Sequence, residues 1–261
     1  NESIMSIDQT LNYRIVGDGY PVLFLHGFLE SNQMWEALLP QFSKYFKCIL
    51  IELPGHGQSA PFHSIEPSIS YMAKSVFHTL EQITSSPVDI VGHSLGGYVA
   101  LNIIQQLPHF DKKLILLNSH PWKDSDSKKH ERNRVIDVVK KNKELFIKTA
   151  IPNLYRLPNE QKNNIQEGID IALKMDNISI INSLKAMRDR KDQSSMLEKI
   201  TQQCLVVQGE FDHLIPAKKM KAITTQLNNK FSLVTGAGHM AHHESSECVS
   251  DLIYRFLTTK W

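Results

Sequence analysis

The segment Val88-Asp89-Ile90-Val91-Gly92-His93-Ser94-Leu95-Gly96-Gly97-Tyr98-Val99-Ala100-Leu101 constrains the fold more than any other stretch of this chain. A strand-like run leads straight into G-x-S-x-G, and residues at helical spacing follow. A reversal this sharp forces the central residue into a strained backbone conformation. It also leaves little room for side chains two positions away on either side, and Gly92 and Gly96 supply that room. The turn lifts the Ser94 hydroxyl clear of the sheet at the positive end of the next helix, where developing negative charge is favoured. It also aims the backbone N–H of Leu95 at the oxyanion. Ser94 is therefore the candidate nucleophile and Leu95 a candidate oxyanion donor. The bland alternative is a Gly-rich turn without chemistry, and strand before plus helix after weighs against it. A phosphate-binding loop is excluded, because no Lys follows the glycines.

Around this turn the chain alternates. Leu11–Val16, Val22–Leu25, Cys48–Leu53, Val88–Val91 and Leu114–Leu117 read as strands, the first two separated by the turn signal Gly17-Asp18-Gly19. Met34–Phe42, Tyr71–Ile83 and Tyr98–Leu107 have helical spacing. Strands that are apolar on both faces suit a parallel sheet covered by helices on each side. From Ser119 to about residue 198 no strand-like run appears. Arg132–Ala150, Glu160–Met175 and Ile178–Arg188 read as helices, broken by Pro152 and Pro158. Alternation then resumes with strand Leu205–Gln208, helix Ala217–Leu227, strand Phe231–Val234 and a closing helix Cys248–Leu257. The domain reading is an α/β core of residues 1–118 and 199–261, interrupted by a helical insertion of residues 119–198.

Composition excludes several classes. A chain of 261 residues, 41% hydrophobic and 21% charged, can bury one large core, and a formal net charge of +2 points to no nucleic acid partner. The Lys-rich stretch around Lys128–Lys148 is interleaved with acids and reads as a solvated helical face rather than a binding patch. Three cysteines without regular spacing fit buried free thiols in a reducing compartment. No apolar run is long enough to span a bilayer, and Asn1 to Asp8 carry no export-signal pattern. These features lead us to expect a cytoplasmic protein without membrane partner, either a monomer or a homodimer.

With its companions the nucleophile turn resembles the α/β-hydrolase superfamily over essentially the whole chain apart from the insertion. Leu23-Phe24-Leu25-His26-Gly27-Phe28 is similar to the strand-end H-G-x of that family, which makes Phe28 the second oxyanion donor. Glu52-Leu53-Pro54-Gly55-His56-Gly57-Gln58-Ser59 resembles its D-x-P-G-x-G-x-S turn, with Glu52 in place of Asp, and a structural role is expected. Gly209-Glu210-Phe211-Asp212-His213-Leu214-Ile215-Pro216 matches the acid loop, and Gly236-Ala237-Gly238-His239 matches the histidine loop. The order Ser94, Asp212, His239 is the order this fold requires. The resemblance implies a mostly parallel, doubly wound sheet of about eight strands, with a helical cap inserted after strand 6 of the family scheme.

Each assignment has a competitor. Glu210 rivals Asp212, but the family position lies four residues before Pro216. His242 and His243 rival His239, and their spacing invites a metal, yet no zinc-protease pattern with a Glu base accompanies them. They are expected to begin the final helix. No metal and no cofactor is expected. The resemblance implies that His239 takes the Ser94 proton, Asp212 orients the imidazole, and the N–H groups of Phe28 and Leu95 hold the oxyanion.

The substrate expectation is a small acyl compound. Candidates to line its pocket are His93, Trp122, Phe146, Tyr155, Met175 and Met187, although such residues at helical spacing more often form a core. The first half of the chain is similar both to small-molecule esterases and to SHCHC synthase of the menaquinone pathway. That synthase family places Arg after the second glycine of the nucleophile motif, where this chain has Tyr98, so a carboxylic ester hydrolase ranks first. A lyase, a C–C bond hydrolase and a cofactor-free haloperoxidase share the same triad. A haloalkane dehalogenase is disfavoured because Ser94 stands where that family has Asp. A hydrolase-fold ligand receptor with little turnover is the alternative of a different class.

Overall fold

The computed structural model describes residues 10–107, 112–200 and 203–259, so the expectation for Asn1 to Asp8 lies outside the described residues. Among them, seven strands form one sheet. They are β1 (Tyr13–Val16), β2 (Tyr20–Leu25), β3 (Phe46–Ile51), β4 (Asp89–His93), β5 (Leu114–Leu117), β6 (Cys204–Gly209) and β7 (Lys230–Val234). Their order is β1-β3-β2-β4-β5-β6-β7, parallel throughout except for β1, which runs antiparallel to β3. All seven sequence-read strands are present, and the parallel majority follows from their two-sided apolarity.

The alternation within each strand builds two cores. Leu23, Leu25, Ile49, Ile51, Ile90, Leu114, Leu116 and Val206 join one buried cluster, while Val22, Phe24, Cys48, Leu50, Val91, Ile115, Leu117 and Val207 join the other. Helices α1 (Leu39–Phe42), α2 (Ile69–Ile83) and α3 (Leu95–Gln106) follow β2, β3 and β4 in turn. Residues of α2 and α3 line the first cluster, whereas Trp35 and Phe42 enclose Phe24 edge-on at 5.3 and 5.8 Å in the second. Helix α2 starts two residues before the expected Tyr71, because the Ser68 hydroxyl caps the Tyr71 N–H. Strand β3 is shifted by two from Cys48–Leu53. Its ladder to β2 begins at the Tyr20–Phe46 pair, and Glu52 and Leu53 already belong to the following turn.

Between β5 and β6 the described residues form helices α4 (Asp126–Ala150), α5 (Lys162–Lys174), α6 (Asn177–Arg188) and α7 (Ser194–Lys199), with two short 3-10 turns. Helix α4 begins six residues before Arg132, capped by the Ser125 side chain, and it is kinked at Asn142. Asn142 leaves the helical region and its Oδ1 accepts the Leu145 N–H at 2.9 Å, so it ends one helix and caps the next. The single helix expected over Arg132–Ala150 is thus two. The chain then closes with α8 (Ala217–Gln226), α9 (Ala241–Glu244) and α10 (Ser246–Thr258). His242 and His243 sit on the short α9, one element before the last helix. Cys48 and Cys204 are buried free thiols, and Cys248 is free and exposed, departing from the burial expected of all three. No helix among the described residues is long and apolar enough to cross a membrane.

The strand order determines where a site can form. The chain leaves β2 toward β3 on one side and returns to β4 on the other, so β2 and β4 flank the point where the winding direction reverses. In open α/β sheets the crevice beyond the carboxyl ends of such strands is where ligands bind. The loops after β2, β4, β6 and β7 all open there.

Candidate active site

Ser94 occupies the turn between β4 and α3 with φ 48° and ψ −114°, a left-handed conformation that a side-chain-bearing residue adopts only under constraint. The constraint is visible in the neighbouring glycines. A Cβ on Gly92 would lie 2.7 Å from the Gly96 backbone, and one on Gly96 would lie 2.2 Å from the Leu25 carbonyl oxygen. Ser94 is also the residue before helix α3, whose first N–H groups have no partner within the helix.

The three residues named from motif order meet. His239 Nε2 lies 3.0 Å from Ser94 Oγ, and His239 Nδ1 lies 2.8 Å from Asp212 Oδ2. His239 and Asp212 are both buried. Asp212 is supplied with further donors: Asn118 Nδ2 and Gln208 Nε2 reach Oδ2 at 2.9 Å each, and the Leu214 and Ile215 N–H groups reach Oδ1 at 2.9 and 3.1 Å. Burial alone would raise the pKa of this carboxyl. The His239 charge and the hydrogen bonds from His239, Asn118 and Ile215 outweigh burial and lower it instead. The rival acid Glu210 accepts the Gly236 N–H at 2.9 Å and makes no contact with His239. His243 pairs with the Tyr155 hydroxyl at 2.8 Å, and His242 is fully buried against His93 and His243.

Asn118, at the end of β5, and Gln208, within β6, were not singled out by motif. A polar residue directly after an apolar strand, at the ligand-binding edge of the sheet, is the signal that could have found Asn118. A second omission is larger. Glu30, buried in the loop after β2, accepts from His93 Nδ1 at 3.0 Å and from the Gly27 N–H at 2.5 Å. His93 Nε2 in turn reaches the His239 carbonyl oxygen at 3.1 Å. Burial opposes both charges, yet their mutual attraction prevails. Glu30 falls from 4.5 to about 2 and His93 rises above its usual 6.5, so both directions agree on an ion pair.

Ser94 and His239 open into a cavity of about 570 Å³ shared with His93, Trp122, Phe146, Met187 and Phe28. Two of the pocket candidates lie elsewhere. Met175 is buried in the core cluster at the end of α5, where its flexible side chain fills space between helices. Tyr155 lines a smaller neighbouring cavity of about 40 Å³ together with Phe28 and Met240, held there by its bond to His243. His93 borders the large cavity, but both its ring nitrogens are engaged inside the protein. Of the stretch read as a solvated Lys-rich face, Lys140, Lys141 and Lys148 are exposed as expected, whereas Lys128 and Arg132 on α4 line the same cavity. Phe146 and Ala150 of the same helix line it too, so one face of α4 borders the cavity. Tyr98 bonds His120 Nε2 through its hydroxyl at 2.9 Å and carries the Arg190 guanidinium over its ring at 4.2 Å.

Phe28 lies in the loop after β2, and its N–H meets no acceptor among the described residues. Glu52 holds its turn together: its carboxylate accepts from Asn12 Nδ2 at 2.8 Å and the Gln58 N–H at 2.6 Å, and a Cβ on Gly57 would collide with it. That is a structural role.

The family model of the alpha/beta hydrolase fold matches residues 20–246. The chain is 24% identical to a Bacillus subtilis (strain 168) protein provisionally named 2-succinyl-6-hydroxy-2,4-cyclohexadiene-1-carboxylate synthase, over 98% of both chains. It is also 24% identical to a provisionally named esterase/lipase of Haemophilus influenzae, over 98% of this chain and 88% of that one. Among solved structures, a thermophilic esterase from Thermogutta terrifontis, with malate bound, superposes with a TM-score of 0.86. It is 26% identical, over 95% of this chain and 92% of that one.

Proposed function

The chain belongs to the α/β-hydrolase family, and from that premise we propose that it is a serine hydrolase cleaving a small carboxylic ester through an acyl-enzyme. The observation that carries the reading is the unbroken relay from Ser94 Oγ through the His239 ring to Asp212, at 3.0 and 2.8 Å. A serine hydroxyl is a weak nucleophile, and an imidazole at hydrogen-bond distance removes its proton as the carbonyl carbon is attacked. Asp212, ionised and saturated with donors, holds the His239 tautomer with Nε2 toward the serine and stabilises the imidazolium that forms. The N–H groups of Leu95 and Phe28 would receive the oxyanion, each contributing on the order of 10²–10³ in rate. His239 returns its proton to the leaving alkoxide, then deprotonates the water that releases the acid.

In this reading residues 119–198 form a cap over the α/β core of 1–118 and 199–261, and the apolar side chains Trp122, Phe146 and Met187 shape the acyl site. Relatives named esterase and synthase match the chain equally, and what supports the ester over the lyase alternative is Tyr98, which stands where the synthases have Arg and whose hydroxyl and ring are both engaged within the protein. The test is steady-state hydrolysis of p-nitrophenyl acetate and butyrate by the wild type and Ser94→Ala. Multiple turnovers abolished by the substitution support the proposal, with a fluorophosphonate labelling Ser94 alone. A single acylation without release would favour a receptor, and turnover surviving in Ser94→Ala would overturn the assignment.

A further inference from the structure

The cavity beside Ser94 has an unbalanced charge. Its acidic lining residues among those described are Glu30 and Asp124, and its basic ones are Lys123, Lys128, Arg132 and Lys219, of which Lys128 is paired with Glu131 at 3.0 Å. Glu30 is neutralised within the protein by His93. Asp124 is shared by two guanidiniums: Arg190 Nη1 reaches Oδ1 at 2.7 Å, and Arg132 Nε bonds Oδ2. One carboxylate held by two arginines leaves a positive charge over.

The two arginines are not equivalent. Arg190 is fully committed: Nε meets the Trp122 carbonyl at 3.2 Å, Nη1 the Met187 carbonyl at 2.5 Å, and Nη2 the His120 ring at 3.4 Å. Arg132 is not. Its side chain is only 14% exposed, yet beyond Asp124 it has just a long contact from Nη1 to Met187 Sδ at 3.6 Å. A guanidinium has five N–H donors in a rigid fork, and the Nη2 end of this one has no acceptor among the described residues. It borders the cavity, anchored by Asp124. Lys219 stands over the Trp122 ring at 4.1 Å, and Trp122 stacks on His120 with centroids 4.0 Å apart. His120 registers the same environment: burial first, then Arg190, Arg132 and Lys219, keep it well below its ordinary pKa and so uncharged.

We infer that the ester taken by this site carries a carboxylate at its far end, held by the open face of Arg132 with Lys219 beside it. The inference rests on the ester-hydrolase reading of the Ser94 site. Trp122 and Met187 would contact the apolar stem between the two ends. A carboxylate is favoured because the planar fork of Arg132 matches its two oxygens, and a largely buried guanidinium has lost much of the water that would otherwise compete.

The test separates binding from turnover. Ligands are the monoethyl esters of succinic, glutaric and adipic acids, each against the neutral ethyl ester of equal acyl length. A second pair, 4-acetoxybutanoate against butyl acetate, places the charge on the alcohol side instead. Titration calorimetry on Ser94→Ala, which cannot turn them over, is expected to give one of the anionic series a Kd at least about tenfold below its neutral partner. The preference should shrink as salt is raised. Arg132→Met should remove it, and Lys219→Gln, on an exposed position that leaves the fold in place, should reduce it about threefold. A melting curve checks that Arg132→Met is folded. Equal affinities for charged and neutral esters in every pair, or a preference that survives both substitutions, would overturn the inference. Wild-type turnover of the same esters reports on the other reading: hydrolysis without charge preference sinks the anion site alone. Anion binding with no hydrolysis sinks the hydrolase.

Discussion

Two carboxylate–imidazole pairs lie buried within one network, and they differ in where the second ring nitrogen points. In Asp212–His239, at 2.8 Å, the free nitrogen faces Ser94 Oγ. In Glu30–His93, at 3.0 Å, it is tied to the His239 carbonyl oxygen, while the carboxylate also holds the Gly27 N–H. The same chemical pair is thus poised for proton transfer in one place and is a brace in the other. The brace joins two loops to a strand end: the loop after β2 that carries Phe28, the last residue of β4 just before Ser94, and the loop that presents His239. An ionised carboxylate beside an imidazole is therefore a poor marker of a reactive centre by itself. What identifies one is a nitrogen left for a nucleophile.

The comparison breaks most visibly at Ser94. Ser94→Ala or His239→Ala is expected to lower kcat/KM by on the order of 10⁵–10⁶ while leaving the melting temperature nearly unchanged, as measured by ester turnover and calorimetry. Asp212→Asn keeps the shape but favours the wrong imidazole tautomer, and a loss of about 10⁴ in kcat is expected. If Asp212→Asn were nearly neutral while Glu30→Gln abolished turnover, the roles given to the two pairs would be exchanged.

Glu30→Gln is the next largest effect and has a different signature. About 10- to 100-fold in kcat with little change in KM is expected, because the loops move without loss of a reacting group. Stability should respond with pH. Glu30 is depressed from 4.5 to about 2, so its contribution is present above 4.5 and fades as pH falls through 2. His93 is raised above 6.5, so its contribution is present below that value and is lost as pH rises through the folded pKa. The pair therefore stabilises most between about pH 4.5 and 6.5. Melting curves of wild type and Glu30→Gln across pH should diverge most in that window; a constant difference from pH 3 to 9 would contradict the ion pair.

The same contrast marks what was legible in the sequence. Ser94, Asp212 and His239 lie in loops whose glycines and prolines are demanded by tight backbone approach, so their spacing survives as a motif. The collisions that a Cβ would meet at Gly92 and Gly96 are the physical content of that motif. The five inner strands were legible because two-sided burial demands apolar residues at consecutive positions, whereas the edge strands β1 and β7 are largely exposed. Glu30 and Asn118 were not, since each acts through contacts with residues 63 and 94 positions away, and no local spacing encodes such a meeting. The inward face of α4 was missed for a related reason. Lys128 and Arg132 alternate with acids as on any solvated helix, and only the tertiary placement of that helix beside the cavity turns them toward it. Met175 erred in the opposite direction, because a core methionine and a pocket methionine have identical neighbours in sequence.

The smallest expected effect concerns the rear of the Asp212 pair. Asn118 sits at φ 43°, and its Nδ2 donates to Asp212 Oδ2 at 2.9 Å and to the Gly238 carbonyl at 3.2 Å. Replacement by Ala would mix two losses, the hydrogen bond and the left-handed backbone that Asn tolerates better than Ala. Asn118→Gly removes the side chain without the backbone strain. Asp212 would keep its bonds from Gln208 Nε2, Leu214 N–H and Ile215 N–H, so it should stay ionised, and a fall of about tenfold or less in kcat is expected. The Ala variant should be less stable than the Gly variant by about 1 kcal/mol, which isolates the backbone cost. A loss in Asn118→Gly as large as that of Asp212→Asn would mean that the three remaining donors cannot hold the carboxylate. The donor shell of Asp212 would then be a chain with one indispensable link rather than a set of overlapping supports.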